Sequence, residues 1–150
     1  MKVFIVFLAL MIVFMGFMVY GSDMNAVMSR RLHLKALAED CAAGCCLSLD
    51  EEAYSEGLLV INRADAEELT EYLVQEAKEN MPPFARGDIS ASVLIFDDEK
   101  GYSGREEYGI KSDIPSAVVK LVYESGDMFR LPFLELKKLE RTAVYSWEGI

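Results

Sequence analysis

The chain has 150 residues, 52% of them hydrophobic, and its 15 Lys and Arg against 25 Asp and Glu give a formal net charge of −10. This balance excludes a basic nucleic-acid-binding protein, and the hydrophobic fraction excludes an intrinsically disordered chain. The apolar residues are concentrated at the N-terminus, which excludes a polytopic membrane protein and leaves one hydrophobic segment followed by one acidic domain.

The hydrophobic segment Val3–Tyr20 contains 18 residues, of which only Gly16 falls outside the hydrophobic set. As a helix rising ~1.5 Å per residue it would be about 27 Å long, which is just enough to cross a hydrocarbon core. We predict a transmembrane anchor in residues 1–21 that is retained in the cell membrane. One alternative is a secretory signal that is cleaved near Gly21 and releases the domain, although signal h-regions are typically only ~7–15 residues long. The other is a buried core helix.

The helical pattern does not stop at the end of the hydrophobic segment. No strong helix breaker separates Gly21 from Ser48, so we predict that an amphipathic helix over about 22–48 continues the membrane span. A continuous rod of about 45 residues would be about 68 Å long. Its apolar residues recur at three- and four-residue intervals, and they are Met24, Val27, Met28, Leu34, Ala38, Cys41 and Cys45.

Small side chains are frequent in the second half of this helix. They let another backbone approach closely, which is how helices commonly pack in membranes. We predict a helix-packing interface that contacts either the protein's own sheet or a helix of a neighbouring subunit. The residues of this interface are Leu34, Ala38, Cys41, Gly44 and Cys45.

The rest of the chain predicts one short helix and several strands. Asn62 or Asp65 can cap a helix over Ala64–Glu79, which Pro82 and Pro83 end. Hydrophobic runs and alternations predict strands, with Ser125-Gly126-Asp127 as a hairpin turn and Pro132 at a sheet edge or bulge. The predicted strands are Gly57–Ile61, Ile89–Phe96, Ala117–Glu124, Met128–Leu134 and Leu139–Trp147.

The predicted fold class is α+β. The long N-terminal helix, half in the membrane and half amphipathic, packs on an antiparallel sheet of about four strands. We expect residues 22–150 to form a single extracytoplasmic domain with the helix of residues 22–48 as its spine.

Charge is distributed unevenly along the domain. Residues 22–38 hold three basic side chains and one acidic, whereas residues 39–80 hold 12 acidic and two basic. We expect Arg30, Arg31 and Lys35 to contact anionic lipid headgroups. The same residues argue against a cytoplasmic N-terminus under the positive-inside rule, but Lys2 and the very short N-terminal tail favour it, and we predict that orientation.

No motif in the chain indicates catalysis, a cofactor or a metal. The cysteines Cys41, Cys45 and Cys46 lack the second Cys/His pair of a zinc site, and we expect them to serve as small buried apolar residues. The acidic loop Asp97–Gly101 lacks the ligand spacing of a calcium-binding loop, and we expect it to be solvated. We therefore predict a protein that is not an enzyme.

The region Leu34–Asp50 also carries a family resemblance. It is similar to the small-residue stretch after the membrane helix in TadE/TadG-like minor pseudopilins of tight-adherence (Flp-type) pili, which have alanines at most positions where this chain has cysteines. Tyr54–Gly57 and the helix that begins at Ala64 resemble such proteins too, so the likeness covers residues 1–80. It implies a pilin-like fold and contacts with other pilin-like or apparatus subunits.

One departure from the pilin pattern changes what the resemblance implies. Prepilins usually carry a glutamate five residues into the hydrophobic segment, but here no acidic residue precedes Asp23. We therefore expect an uncleaved minor component of a pilus or secretion apparatus, held by Val3–Tyr20 and not binding nucleic acid. The alternative function is a secreted or membrane-anchored extracytoplasmic domain that recognises a ligand or partner protein with its sheet and the loop around Gly101.

Overall fold

The computed structural model of the chain describes residues 2–131 and 133–147. It confirms the α+β class, with a long N-terminal helix on an antiparallel sheet. Short 3₁₀ turns at Pro82–Phe84 and Arg105–Tyr108 interrupt the connections. The elements in chain order are α1 (Lys2–Leu47), α2 (Glu51–Ser55), α3 (Arg63–Asn80), β1 (Gly87–Phe96), β2 (Ser116–Ser125) and β3 (Lys138–Ser146).

Helix α1 is unbroken over 46 residues and continues through Gly21. A glycine in a helix costs only ~1 kcal/mol relative to alanine, which the long flanking stretches of good helix formers can absorb. At ~1.5 Å per residue the helix is about 69 Å long. The predicted single rod is therefore confirmed.

The sheet has the order β1-β2-β3 and is antiparallel throughout. Gly87 pairs with Ser125 and Phe96 with Ser116, while Ser116 also pairs with Ser146 across the second ladder. Alternate residues of the central strand point towards the helices, as the period of two requires. These inward-facing residues of β2 are Ala117, Val119, Leu121 and Tyr123.

The core lies between this sheet face and the two long helices. Helix α3 begins at the cap Asn62, whose Oδ1 accepts hydrogen bonds from the amides of Ala64 and Asp65. Its buried face, Ala66, Thr70, Val74 and Ala77, packs in the same cluster as α1. The buried residues of α1 in that cluster are Val27, Leu34, Leu37, Ala38, Cys41, Ala42, Cys45 and Cys46.

The described residues form three strands rather than about four. Residues 128–131 and 133–134 lie in the loop of residues 126–137, here called the β2–β3 loop, and not in a strand. The Asp127 carboxylate accepts from the amides of Phe129 and Leu136, each at 3.2 Å, so these backbone groups are satisfied without a ladder. The predicted tight hairpin turn after Ser125 is therefore also wrong, and the edge or bulge position of Pro132 lies outside the described residues.

The segment Gly57–Ile61 is also not the buried strand that its apolar run predicts. Only Ile61 forms a bridge, with Leu49, and Leu58 is exposed. The amide of Ile61 donates to Asp97 Oδ2 at 3.2 Å, because the carboxylate of Asp97 is buried beside it. That carboxylate also corrects the expectation of a solvated loop at Asp97, since it fastens two segments of the chain together.

Gly44 of α1 faces Leu69 of α3 at close range. A Cβ atom at this position would lie 2.5 Å from Leu69 Cδ2, whereas a Cβ at Gly21 would meet nothing within 4 Å. We expect Gly44→Leu to lower the free energy of unfolding by about 1–3 kcal/mol, the usual cost of overpacking a core. Thermal unfolding followed by circular dichroism in detergent micelles measures this change.

The matched control is Gly21→Leu, which should not lower the unfolding temperature. Leu69→Ala added to Gly44→Leu should recover part of the loss, because it removes the side chain that the new leucine meets. A Gly44→Leu variant as stable as the parent would contradict this packing of α1 against α3.

Candidate functional site

The N-terminal part of α1, residues 3–20, extends out of the core and is almost entirely exposed. Its most apolar 18-residue window has a mean hydropathy of 2.8 and is 0% buried, and the side chain of Ile12, for example, is 64% exposed. In the described part of the chain this is the one helix long and apolar enough to cross a membrane. The alternative of a buried core helix is wrong, because no core residue contributes to this segment.

The helix changes surroundings abruptly between Tyr20 and Asp23. The Tyr20 ring stacks on Phe129 of the β2–β3 loop, with centroids 6.1 Å apart and planes 16° from parallel. The buried Asp23 carboxylate accepts from the Arg130 backbone N–H at 2.9 Å and from its Nε at 2.8 Å. These contacts, here called the exit clamp, fasten the loop to α1 at the first turn after the apolar segment.

Electrostatics of the exit clamp favour the ionised carboxylate. The hydrogen bond from the Arg130 backbone amide lowers the pKa of Asp23, and the Arg130 guanidinium, with Nη2 at 2.8 Å, lowers it further. Sequence reasoning missed this pair because its members are 107 positions apart. One signal was available: Asp23 is the only acidic residue before Glu39 and directly follows the hydrophobic segment.

The predicted helix-packing interface is brought together on one face of α1 and packs against this chain's own elements. Leu34, Ala38, Cys41 and Cys45 are buried in the core with α3 and β2, and Gly44 faces Leu69. Of the two partners that the sequence pattern allows, the chain's own sheet and α3 therefore occupy this stripe.

All three thiols lie in that core and are free. Cys45 Sγ is 3.2 Å from Thr70 Oγ1, and Cys46 donates to the carbonyl of Pro115 at 3.6 Å. Burial raises the pKa of the Cys41 thiol to about 12 and that of Cys46 to about 11. Thiols in this state are poor nucleophiles and poor metal ligands at neutral pH. Within residues 2–131 and 133–147, no three His, Cys, Asp or Glu side chains come together to hold a metal ion.

The three basic residues expected at the headgroups occupy different surroundings. Arg30 is half-buried and its Nε donates to the carbonyl of Pro83 at 3.1 Å. Arg31 is exposed, and Lys35 pairs with Glu39 across one helical turn at 3.6 Å. Arg31 lies about 16 Å along α1 from Tyr20 and Lys35 about 22 Å, so Arg31 is the better placed of the two for a membrane surface. Headgroup contact by these residues stays a prediction.

Comparisons with protein-family models, with curated proteins and with solved structures find no match to this chain.

The buried thiols generate a prediction about reactivity. At pH 8 the folded protein should react with a thiol reagent such as iodoacetamide at least tenfold more slowly than the same protein unfolded in guanidinium chloride.

The raised thiol pKa values also predict a pH dependence of stability. In the folded state the buried thiols keep protons that the unfolded state releases above about pH 8.5, so the free energy of unfolding should fall as the pH rises through 9 and 10.

Mass spectrometry of the alkylated protein checks the reactivity, and Leu47→Cys is the control, since Leu47 lies exposed at the end of the same helix. The added cysteine should react quickly in the folded protein. Rapid alkylation of Cys41 or Cys46 under native conditions would contradict their burial.

Proposed function

We propose that the protein is a single-pass membrane component of a pilus or secretion apparatus, pilin-like in plan, that acts by assembly rather than catalysis. The observation that carries this proposal is α1 itself. One unbroken helix carries the largely exposed 18-residue segment Val3–Tyr20 at one end and forms the centre of an α+β core at the other. That division of one helix between two solvents is the plan on which pilin-like subunits are built.

Retention of the anchor is favoured over cleavage near Gly21. The backbone around Gly21 is regular helix, and Tyr20, on the N-terminal side of that position, is stacked on Phe129. Removal of residues 1–20 would expose Phe129 and shorten the helix at the exit clamp. The proposal places the N-terminus in the cytoplasm, as Lys2 favours, and the sheet on the extracytoplasmic side.

Assembly would use the apolar end of α1, because the small-residue stripe of the outer end is filled by the chain's own core. In lipid, helices associate mainly through close packing at small residues. The apolar end offers Ala9 and Gly16, which are seven positions apart and therefore lie on the same side of the helix. A neighbouring membrane helix could approach closely there.

The binding-domain alternative finds some support in one surface. An open cleft of about 650 Å³ lies between α3 and the edge strand β1, lined among others by Glu71, Tyr72, Lys78 and Ile89. The loop around Gly101 offers less, because Tyr102 packs on the buried pair Phe96 and Ile110. A binding role would therefore be centred on the cleft.

Cell fractionation of the full chain with a C-terminal tag tests the proposal. We expect the protein to stay in the membrane pellet after alkaline carbonate extraction, to retain its N-terminal segment, and to lose its tag when protease is added to intact spheroplasts. A mature chain that begins at Ser22 and is found free in the medium would overturn the anchor.

The assembly role is tested by cross-linking within whole cells, followed by mass spectrometry of the linked chains. The proposal predicts links to proteins that carry a single N-terminal membrane helix, and Gly16→Leu should weaken them while leaving the protein in the membrane. A protein that is membrane-bound but monomeric, with no such links, would favour the binding-domain alternative.

A further inference from the structure

The β2–β3 loop is unusually apolar for a connection between strands. Its described residues include Met128, Phe129, Leu131, Phe133, Leu134 and Leu136. Phe133 is 76% exposed, which makes it the most exposed large hydrophobic side chain in the described chain outside the apolar segment of α1. A loop facing water would usually be polar, so the composition of this loop requires an explanation.

The position of the loop along α1 supplies that explanation. Phe129 stacks on Tyr20, the last residue of the apolar segment, and Arg130 binds Asp23 three residues further on. Leu134 and Leu136 line a groove of about 410 Å³ against Met24 and Met28 of the same helix. Arg130 and Leu134, which lie on either side of Phe133 in the sequence, therefore both lie against the first turns of α1 after the apolar segment.

The depth of these residues follows from the anchor. If residues 3–20 span the hydrocarbon core, Tyr20 lies at its boundary, where aromatic side chains are enriched. Phe129, stacked on Tyr20, must then lie at the same depth. The strands run away from the loop. Their near ends are at Gly87, Ser125 and Lys138, and their far ends are at Phe96, Ser116 and Ser146.

The charges around the loop are compatible with this depth. A carboxylate near the bilayer is costly unless it is paired, and Asp23 is paired with Arg130. The Arg130 side chain is still 64% exposed, so its guanidinium can also reach a lipid phosphate. One side chain would thus neutralise Asp23 and bind the headgroup layer.

We propose that the β2–β3 loop is a second membrane contact, in which Phe129 and Phe133 enter the boundary between headgroups and acyl chains and Arg130 contacts phosphate. The inference rests on the proposed membrane anchoring. It adds that the whole domain is held at one orientation on the bilayer surface, with the strand ends at Phe96, Ser116 and Ser146 farthest from the lipid.

The single tryptophan of the chain, Trp147, makes a fluorescence test possible. The full chain is reconstituted in phosphatidylcholine vesicles that contain lipid brominated high in the acyl chains. In a Trp147→Phe background, the indole introduced by Phe133→Trp should lose at least half of its emission. The native Trp147 of the parent chain, which is next to the distal end of β3, should lose less than a tenth, as should Tyr145→Trp in the same Trp147→Phe background.

The unaltered chain gives a second measurement that does not depend on any substitution. A photoreactive reagent confined to the lipid phase is activated in the same vesicles, and tryptic peptides are then analysed. Cleavage after Arg130 and Lys137 isolates residues 131–137. This peptide should be labelled, as should residues 3–30, while residues 64–78 of α3 should not.

Each outcome decides between the two proposals. Labelled residues 3–30 with unlabelled residues 131–137 and an unquenched Phe133→Trp indole would overturn the loop contact and leave the anchor intact. Absence of label in residues 3–30 would overturn the anchor itself. Cross-links from the loop to a second copy of the chain, without lipid labelling, would show that a subunit covers it and would also overturn the lipid contact.

Discussion

The structure depends on α1, whose N-terminal end is apolar and exposed and whose C-terminal end is buried in the core of the domain. Burying a large apolar side chain is worth ~1.5–3 kcal/mol, so leaving the apolar segment of α1 in water would forgo tens of kcal/mol. That is more than the ~5–15 kcal/mol by which a domain of this size is usually stable. The N-terminal end of α1 therefore needs an apolar environment from outside the chain, whereas its C-terminal end has one in the sheet and α3. The other elements of the core, α3 and the sheet, pack against the C-terminal end of α1.

The exit clamp marks the boundary between the two environments. Asp23 and Arg130 join the first turn of α1 after the apolar segment to the connection between β2 and β3, and Tyr20 stacks on the neighbouring Phe129. Because the loop is bound to α1 at this level, the loop-side ends of β2 and β3 are placed near the apolar end of the helix. The buried thiols and Gly44 lie at the other end, where a side chain added at Gly44 would meet Leu69 of α3. The exit clamp and the packing of α1 against α3 together fix the orientation of the sheet relative to α1.

The sequence alone predicted the elements whose periodicity is strong. The length of α1, the helix α3 and the strands around Ile89, Ala117 and Leu139 are confirmed by the structure. The sequence failed to predict two loops in which side chains replace the backbone partners of a strand. In the β2–β3 loop the Asp127 carboxylate accepts from the amides of Phe129 and Leu136. Before α3 the Asp97 carboxylate accepts from the amide of Ile61. Both apolar runs look like strands but are loops. The Asp23–Arg130 contact could not be derived because nothing local connects the two residues. In the small-residue stripe Leu34, Ala38, Cys41 and Cys45 are buried and Gly44 is half-buried, but residue size alone does not distinguish the chain's own sheet from a neighbour's helix.

The continuity of α1 across Gly21 is the central claim, and a distance between its two parts measures it most directly. Spin labels are attached through Ile12→Cys and Ala36→Cys in the full chain in lipid nanodiscs, where the buried native thiols stay unlabelled. A straight helix separates these positions by about 36 Å of rise, so pulsed dipolar spectroscopy should give one narrow distribution near that value. A broad distribution, or one shifted to clearly shorter distances, would show that the helix bends or breaks between membrane and core and would contradict the account.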